Sequence, residues 1–531
     1  MDVFIEKCRR VAFPAAAFLT AALVLIETIV FVLWREMWVD ELFPLFKSYL
    51  IFTGEFIPFR EGIFPYAPLV IPLHGAVQYL LGPSLYAGRI VSAFFFVSAL
   101  AVMAVVARRL GGRAAAVVAL LLVLSNFLLV SVYLSATMYS AAAFLLLTLV
   151  LAETSSLSER KKTVLGGILA GLMVLARINL VAAVLIYLAY LLFLRTSWRG
   201  VALFAGVFFA VVVLGYIPLM AANPSLAASN FLHVFVGFGP FAGLTPLTDP
   251  SILRFLAELT GFFKEYYGYL LLFFSFTILI FLRERRRLVP FLRQERVYAL
   301  LLMFSLGLLA AHYFYPKFVG KLFYANYFMP VLILAVAAGF GRWMRREAWA
   351  PVLIAGVIAL NFATNLYRTD VVSHPGEESD LARLGRGADL VRGHTRPGDK
   401  ILTFDISLAH LYLADRRTYA PLLQRDFLYL GDTDIERVRR AGFYNLAMIK
   451  EWLGHDADYF LMHKETSFEQ FRRQPFWGER SEDTAAKVGE IRAILESDYE
   501  LAATASNVYP RKYTEGNDGG TLELYRRKKQ P

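Results

Sequence analysis

Two adjacent carboxylates, Asp40 and Glu41, stand in Met37-Trp38-Val39-Asp40-Glu41, a few residues beyond the first long apolar run. A carboxylate at a membrane surface can take a proton as general base or hold a cation. The plain alternative is an exposed acidic pair in a polar loop. Trp34, Trp38, Phe43 and Phe46 surround the pair, and interfacial aromatics anchor helices whether or not a site is present. Arg177, with Asn179 beside it, lies between two apolar runs. A guanidinium there suits bidentate binding of a phosphate arriving from the bilayer, or it snorkels at a helix end. Lys317 and Lys321 are point charges for phosphate or solvated loop charge, and His312, Tyr324 and Tyr327 cluster with them. Arg60, Tyr66, His74 and Arg89 line the segment after the acid pair and are further substrate-binding candidates. Glu27 sits within the first apolar run, where an ionisable group costs roughly 2.5–3.5 kcal/mol on insertion scales and faces protein or water. It reads as a buried structural contact or a polar contact beneath the site.

The elements that must position these residues are membrane helices. The 531 residues are 57% hydrophobic and 15% aromatic, with a mean hydropathy of +0.52. Apolar runs long enough for helical spans recur, and they are continuous where barrel strands would alternate. They cover approximately Val11–Leu33, Leu85–Ala107, Ala114–Val132, Thr137–Ala152, Val164–Ala176, Leu180–Leu194, Val201–Ala221, Tyr266–Phe281, Val297–Phe314, Ala325–Phe340 and Trp349–Leu366. The first is too long for the core of a signal peptide and reads as a retained anchor.

The net charge of +11 lies in short clusters between these runs, which the positive-inside rule explains without a nucleic-acid partner. The shorter run Ala67–Leu81 is ambiguous. If it does not cross, the clusters at Arg108/Arg109/Arg113, Arg160/Lys161/Lys162, Arg195/Arg199, Arg283 to Arg296 and Arg342/Arg345/Arg346 share the side of Lys7/Arg9/Arg10. That predicts about eleven spans, a cytoplasmic N-terminus and an outer C-terminus in the plasma (bacterial inner) membrane. Ala67–Leu81 then becomes a juxtamembrane or re-entrant helix on the outer face.

This topology predicts a membrane domain over 1–368, with outer loops 35–84 and 222–265, and an extracytoplasmic α/β domain over 369–531. In the latter, Asp380–His394 and Ala485–Ser497 read as helices, and Lys400–Phe404, Asp458–Met462 and Thr521–Tyr525 as strands. Cys8 is the single cysteine, and no Cys/His spacing suits a metal. Asp40 and Glu41 could ligate Mg²⁺ or Mn²⁺, with no further ligand to name. Walker A, dinucleotide, zincin and nucleophile-elbow motifs are absent. Energy for synthesis outside the membrane would therefore arrive in an activated, lipid-borne substrate.

Several motifs, in order, resemble the GT-C superfamily of membrane glycosyltransferases. The nearest branch is family-39-like, related to protein O-mannosyltransferases and lipid A aminoarabinose transferases. They are Val39-Asp40-Glu41, Gly54-Glu55-Phe56-Ile57-Pro58, Phe64-Pro65-Tyr66-Ala67-Pro68-Leu69 and Gly82-Pro83-Ser84-Leu85-Tyr86-Ala87-Gly88-Arg89. Arg108-Arg109-Leu110-Gly111-Gly112-Arg113 and Thr137-Met138-Tyr139-Ser140 extend the likeness, and Tyr327-Phe328-Met329-Pro330 adds to it. The resemblance implies a sugar donor on polyprenyl phosphate and inverting transfer on the outer face to a glycan, lipid or protein acceptor. The acid of the first outer loop, here Asp40, would serve as base, with Glu41 beside it. Relatives often carry arginine where Thr137 stands and a second acid near that loop; Ser135-Ala136-Thr137 offers neither. Topology, not the resemblance, nominates Arg177, Lys317 and Lys321 for the leaving phosphate. The competing expectations are a lipid or solute transporter, against which no pseudo-symmetric halves are seen, and a non-catalytic binding subunit of the same fold.

Overall fold

The computed structural model describes residues 2–35, 39–58, 68–195, 198–221, 223–225, 252–314, 326–345, 347–366, 378–403, 407–423, 435, 438, 444–464, 482–510 and 520–528. Within these, the side chains of 2–13, 39–40, 43, 195, 218–219, 252–265, 312–314, 366, 421 and 482–485 are not described. In chain order the elements are α1 (Asp2–Trp34), α2 (Val39–Phe52), α3 (Val70–Leu81), α4 (Leu85–Leu124), α5 (Phe127–Leu134), α6 (Tyr139–Glu153), α7 (Glu159–Ala176), α8 (Val181–Tyr190), α9 (Trp198–Met220), α10 (Ile252–Glu284), α11 (Leu288–Gln294), α12 (Arg296–Phe314), α13 (Met329–Gly339), α14 (Trp349–Leu366) and α15 (Asp380–His394). Then follow β1 (Ile401–Thr403), α16 (Leu408–Leu413), α17 (Leu446–His455), β2 (Tyr459–His463), α18 (Glu482–Asp498), β3 (Tyr499–Ser506) and β4 (Thr521–Arg527).

The chain divides into two compact units. The first comprises Met1–Leu33, Arg89–Gly215 and Leu247–Val371; the second comprises Trp34–Gly88, Tyr216–Pro246 and Val372–Pro531. Among the described residues four helices are long and apolar enough to cross a bilayer: Pro14–Trp34, Leu85–Leu124, Trp198–Ile217 and Tyr266–Gln294. The pair α5 and α6, bent by 101°, meets the same test as one broken span. Five shorter apolar helices accompany them, Val70–Leu81 among them.

In the first unit α13 is buried at every residue, as expected of a helix that is apolar all round. The run over Ala114–Val132 is interrupted. Asn126 adopts an extended backbone, and its side chain caps α5 by accepting from the Leu129 N–H at 2.9 Å. Helix α4 breaks at Gly112, whose φ of 82° only glycine adopts freely. Residues on both sides of that break line one cavity, so the chain doubles back there. Beside the break, a Cβ on Gly341 would lie 2.2 Å from the Gly111 carbonyl oxygen, so the two backbones touch.

In the second unit four strands form a sheet in the order β1-β2-β4-β3. The β1–β2 pair is parallel, with Leu402 opposite Phe460, and the other pairs are antiparallel. A parallel pair needs a crossover, and α16 and α17 lie within it. Ile449, Trp452 and Leu453 of α17 and Val488, Ile491 and Leu495 of α18 join Leu402 and Phe460 in one core. Helix α15 coincides with the expected Asp380–His394 and is capped by Ser379, which accepts from the Ala382 N–H. Strands β1, β2 and β4 fall within a residue or two of expectation. Strand β3 was not expected. Its sequence Tyr499–Ser506 is rich in alanine and mostly open to solvent, so it lacks a buried alternating face.

Candidate active site

Position 40 falls in the first turn of α2, immediately after α1, although the Asp40 side chain lies outside the described residues. A helix N-terminus carries partial positive charge and favours an ionised carboxylate in that turn. Pro44 stands inside α2 and has no N–H, so the carbonyl of residue 40 lacks its usual helical donor. The N-terminal turn therefore has one backbone bond fewer than an uninterrupted helix.

Glu41 lies in the same turn. It is 0% exposed, and its Oε2 accepts from Arg35 Nη1 at 2.7 Å; Arg35 is 7% exposed. The pair brackets the start of α2. Lys47 is 0% exposed, its ammonium 5.3 Å above the Phe56 ring. Burial pushes the Lys47 ammonium down to about 7. Sequence reasoning overlooked Lys47. The available signal was its register: a lone cation in an apolar helix, seven residues after position 40 and so on the same face.

Helix α3 packs hard on α2. A Cβ on Gly75 would lie 2.4 Å from the Ser48 carbonyl oxygen. Gln78 Nε2 donates to the Leu45 carbonyl at 3.1 Å and to Ser48 Oγ at 2.9 Å. Its Oε1 accepts from the Tyr412 hydroxyl of α16, and the Tyr412 and Phe46 rings meet at 5.6 Å. Arg417 forks onto both oxygens of Glu55, one contact measuring 2.8 Å. Long-range bonds therefore tie α2, α3 and Glu55 to residues 412–417. His74 is buried in α3, and its Nε2 has no hydrogen-bond partner among the described residues. Burial pushes its imidazole down to about 4, against the opposing pull of the Glu41 charge, so it stays neutral at physiological pH.

Within the first unit, Arg177 follows the end of α7 in extended conformation. Its guanidinium lies 5.1 Å from the Tyr139 ring centre and 5.5 Å from that of Tyr327, and the two rings are 5.2 Å apart. Nη1 approaches Met138 Sδ at 2.8 Å. A cation over two aromatic faces keeps its charge and its in-plane donors. Tyr139 and Met138 belong to the motif that holds Thr137, which is buried and bonded to Ser135 Oγ at 3.0 Å in the bend between α5 and α6. The structure thus gathers Arg177, Tyr139 and Tyr327. Arg89 is fully buried, and Nη1 donates to the Val32 carbonyl at 3.3 Å. Arg60, Tyr66, Lys317, Lys321 and Tyr324 lie outside the described residues, and His312 is described in backbone only, within α12. No group of three or more His, Cys, Asp or Glu suited to a metal occurs among the described residues. A cation shared by Asp40 and Glu41 would compete with the Arg35 guanidinium for the Glu41 carboxylate.

No protein-family model matches the sequence, and no curated protein matches it. Solved structures do match by shape. ArnT from Cupriavidus metallidurans bound to undecaprenyl phosphate aligns over 96% of this chain and 97% of its own, with a TM-score of 0.61 and 14% identity. The Archaeoglobus fulgidus oligosaccharyltransferase with zinc and sulfate aligns over 90% of this chain and 71% of its own, at a TM-score of 0.50 and 14% identity. The mycobacterial arabinofuranosyltransferase AftD aligns over 96% of this chain but 40% of its own, at a TM-score of 0.50 and 15% identity. All three are glycosyltransferases of the GT-C superfamily, and the chain described here has the GT-C fold.

Proposed function

We propose that this chain is an integral-membrane inverting glycosyltransferase. It moves a sugar, hexosyl or pentosyl, from a polyprenyl-phosphate donor to a glycan, lipid or protein acceptor on the outer face. The observation that carries this reading is the match over 96% of the chain to a structure holding undecaprenyl phosphate. Asp40 is the proposed base, at the helix turn that follows the first span. It takes the acceptor hydroxyl's proton as that oxygen bonds to the anomeric carbon. The bond from that carbon to the donor phosphate breaks, polyprenyl phosphate leaves with the electron pair, and the configuration inverts. Glu41 keeps the turn in place through Arg35. Arg177, Lys317 and Lys321 are the proposed donor-phosphate residues; Arg177 answers best, being held against the Tyr139 and Tyr327 rings. Arg60, Tyr66, His74, Arg89, His312, Tyr324 and Tyr327 are the proposed substrate contacts. The proposed topology keeps about eleven spans, a cytoplasmic N-terminus and an outer C-terminal domain over 369–531.

The test is transfer from radiolabelled polyprenyl-phosphate sugars by purified protein in lipid, wild type beside Asp40→Asn. Loss of a positioned general base slows turnover by about 10²–10⁴-fold. A well-folded Asp40→Asn variant with full activity would remove the base assignment. A wild type that turns over no donor yet moves the lipid between leaflets would be a transporter.

A further inference from the structure

Within the first unit a cleft of about 570 Å³ opens between α1 and the two arms of α4. Its walls are apolar and built largely from small residues, among them Ala17, Ala21, Ala101 and Ala104, and its polar lining is Thr20 with Arg108 and Arg113. The two arginines flank the Gly112 turn, so the reversal of α4 sets both at one end of the cleft. The close contact of Gly111 with Gly341 pins that turn. Arg109, between them in sequence, leaves the cleft and donates to Thr154 Oγ1 at 3.1 Å. A groove that is apolar along its length and cationic at one end matches an amphiphile with an anionic head. Its depth selects among such lipids. From Val97 to Arg108 the helix rises about 16 Å, half of a hydrocarbon core of about 30 Å. That is one leaflet, the length of an acyl chain and too short for a long isoprenoid.

We propose that this cleft binds an anionic phospholipid, one acyl chain lying along the alanines and the phosphodiester between Arg108 and Arg113. On the membrane reading of the chain, the positive-inside rule places this lipid in the cytoplasmic leaflet. Guanidinium forks suit phosphate oxygens, and their long stems let the charge reach the headgroup level. The site is independent of the glycosyltransfer reading.

The test is native mass spectrometry of the full-length protein from micelles supplied with phosphatidylglycerol or phosphatidylcholine of identical acyl chains. Wild type retains phosphatidylglycerol preferentially. Arg108→Gln with Arg113→Gln lowers that preference by roughly five-fold per arginine, the factor one interfacial cation contributes at an anionic surface. Ala104→Phe, which fills the cleft and keeps both charges, lowers retention of both lipids. Equal retention of the two lipids by wild type, unchanged retention by both variants, or displacement of phosphatidylglycerol by equimolar polyprenyl phosphate would each overturn the assignment.

Discussion

Arg35→Met removes the guanidinium from the buried pair that holds the start of α2. The two groups meet at 2.7 Å with exposures of 7% and 0%, so little solvent screens the bond. Exposed ion pairs are worth about 0–1 kcal/mol. Removing one partner of a buried pair costs about 3–5 kcal/mol, because the other charge stays buried without its counter-ion. Pro44 leaves the N-terminal turn short of a backbone bond, so the loss falls on the turn that carries Asp40. We expect Arg35→Met to lower the unfolding midpoint in lipid nanodiscs by the equivalent of about 3 kcal/mol or more, and to reduce transfer while leaving donor binding near wild type. Glu41→Gln in the same background removes the stranded charge and restores much of the stability, giving a coupling of roughly 2 kcal/mol in a double-mutant cycle. A single Arg35→Met variant within about 0.5 kcal/mol of wild type, the range of ordinary surface changes, would refute the reasoning. The pair would then be an interaction of the surface kind, and the turn would be held by something else.

Arg177→Lys keeps the charge and loses the planar fork and the ring stacking; the KM for donor rises by roughly ten-fold, the equivalent of one charge-assisted bond, with the KM for acceptor unchanged in steady-state assays. Tyr412→Phe strands the Gln78 amide oxygen, one of the bonds joining α16 to α3, and costs about 1–3 kcal/mol in the denaturation midpoint. His410 is fully buried in the C-terminal part of the chain, its Nδ1 3.2 Å from the Leu384 carbonyl, and burial pushes it down to about 4. The unfolded chain binds that proton from about pH 6.5 downward while the fold resists it until about 4. Stability from this group is full above pH 6.5 and falls by about 3 kcal/mol towards pH 4. His410→Gln flattens that part of the pH profile of the thermal midpoint; an unchanged profile would exclude His410 as its source.

Local patterns determined much of this protein. The apolar runs announced membrane helices, because a lipid interior demands continuous apolar length. The Asp40-Glu41 pair stood out because such acids are unneeded at the end of a span. Helix α15 was legible over the same residues, Asp380–His394, and β2 within a residue of the expected Asp458–Met462. Strand β3 was not, since apart from Tyr499 its side chains are exposed or half-buried and its place is set by pairing with β4. Nor was the break at Asn126, which interrupts an apolar run, whereas the break at Gly112 falls in the arginine-rich gap expected between the runs Leu85–Ala107 and Ala114–Val132. The partners of the candidate site were the least legible. Gln78 meets Tyr412 across 334 positions, and Arg177 meets Tyr327 across 150. Glu41 was singled out only as the neighbour of Asp40 and Lys47 was overlooked, and only packing showed both fully buried. Burial decides whether a charge is solvated or must be paired, and burial is a property of the assembled chain, set by residues far away in sequence.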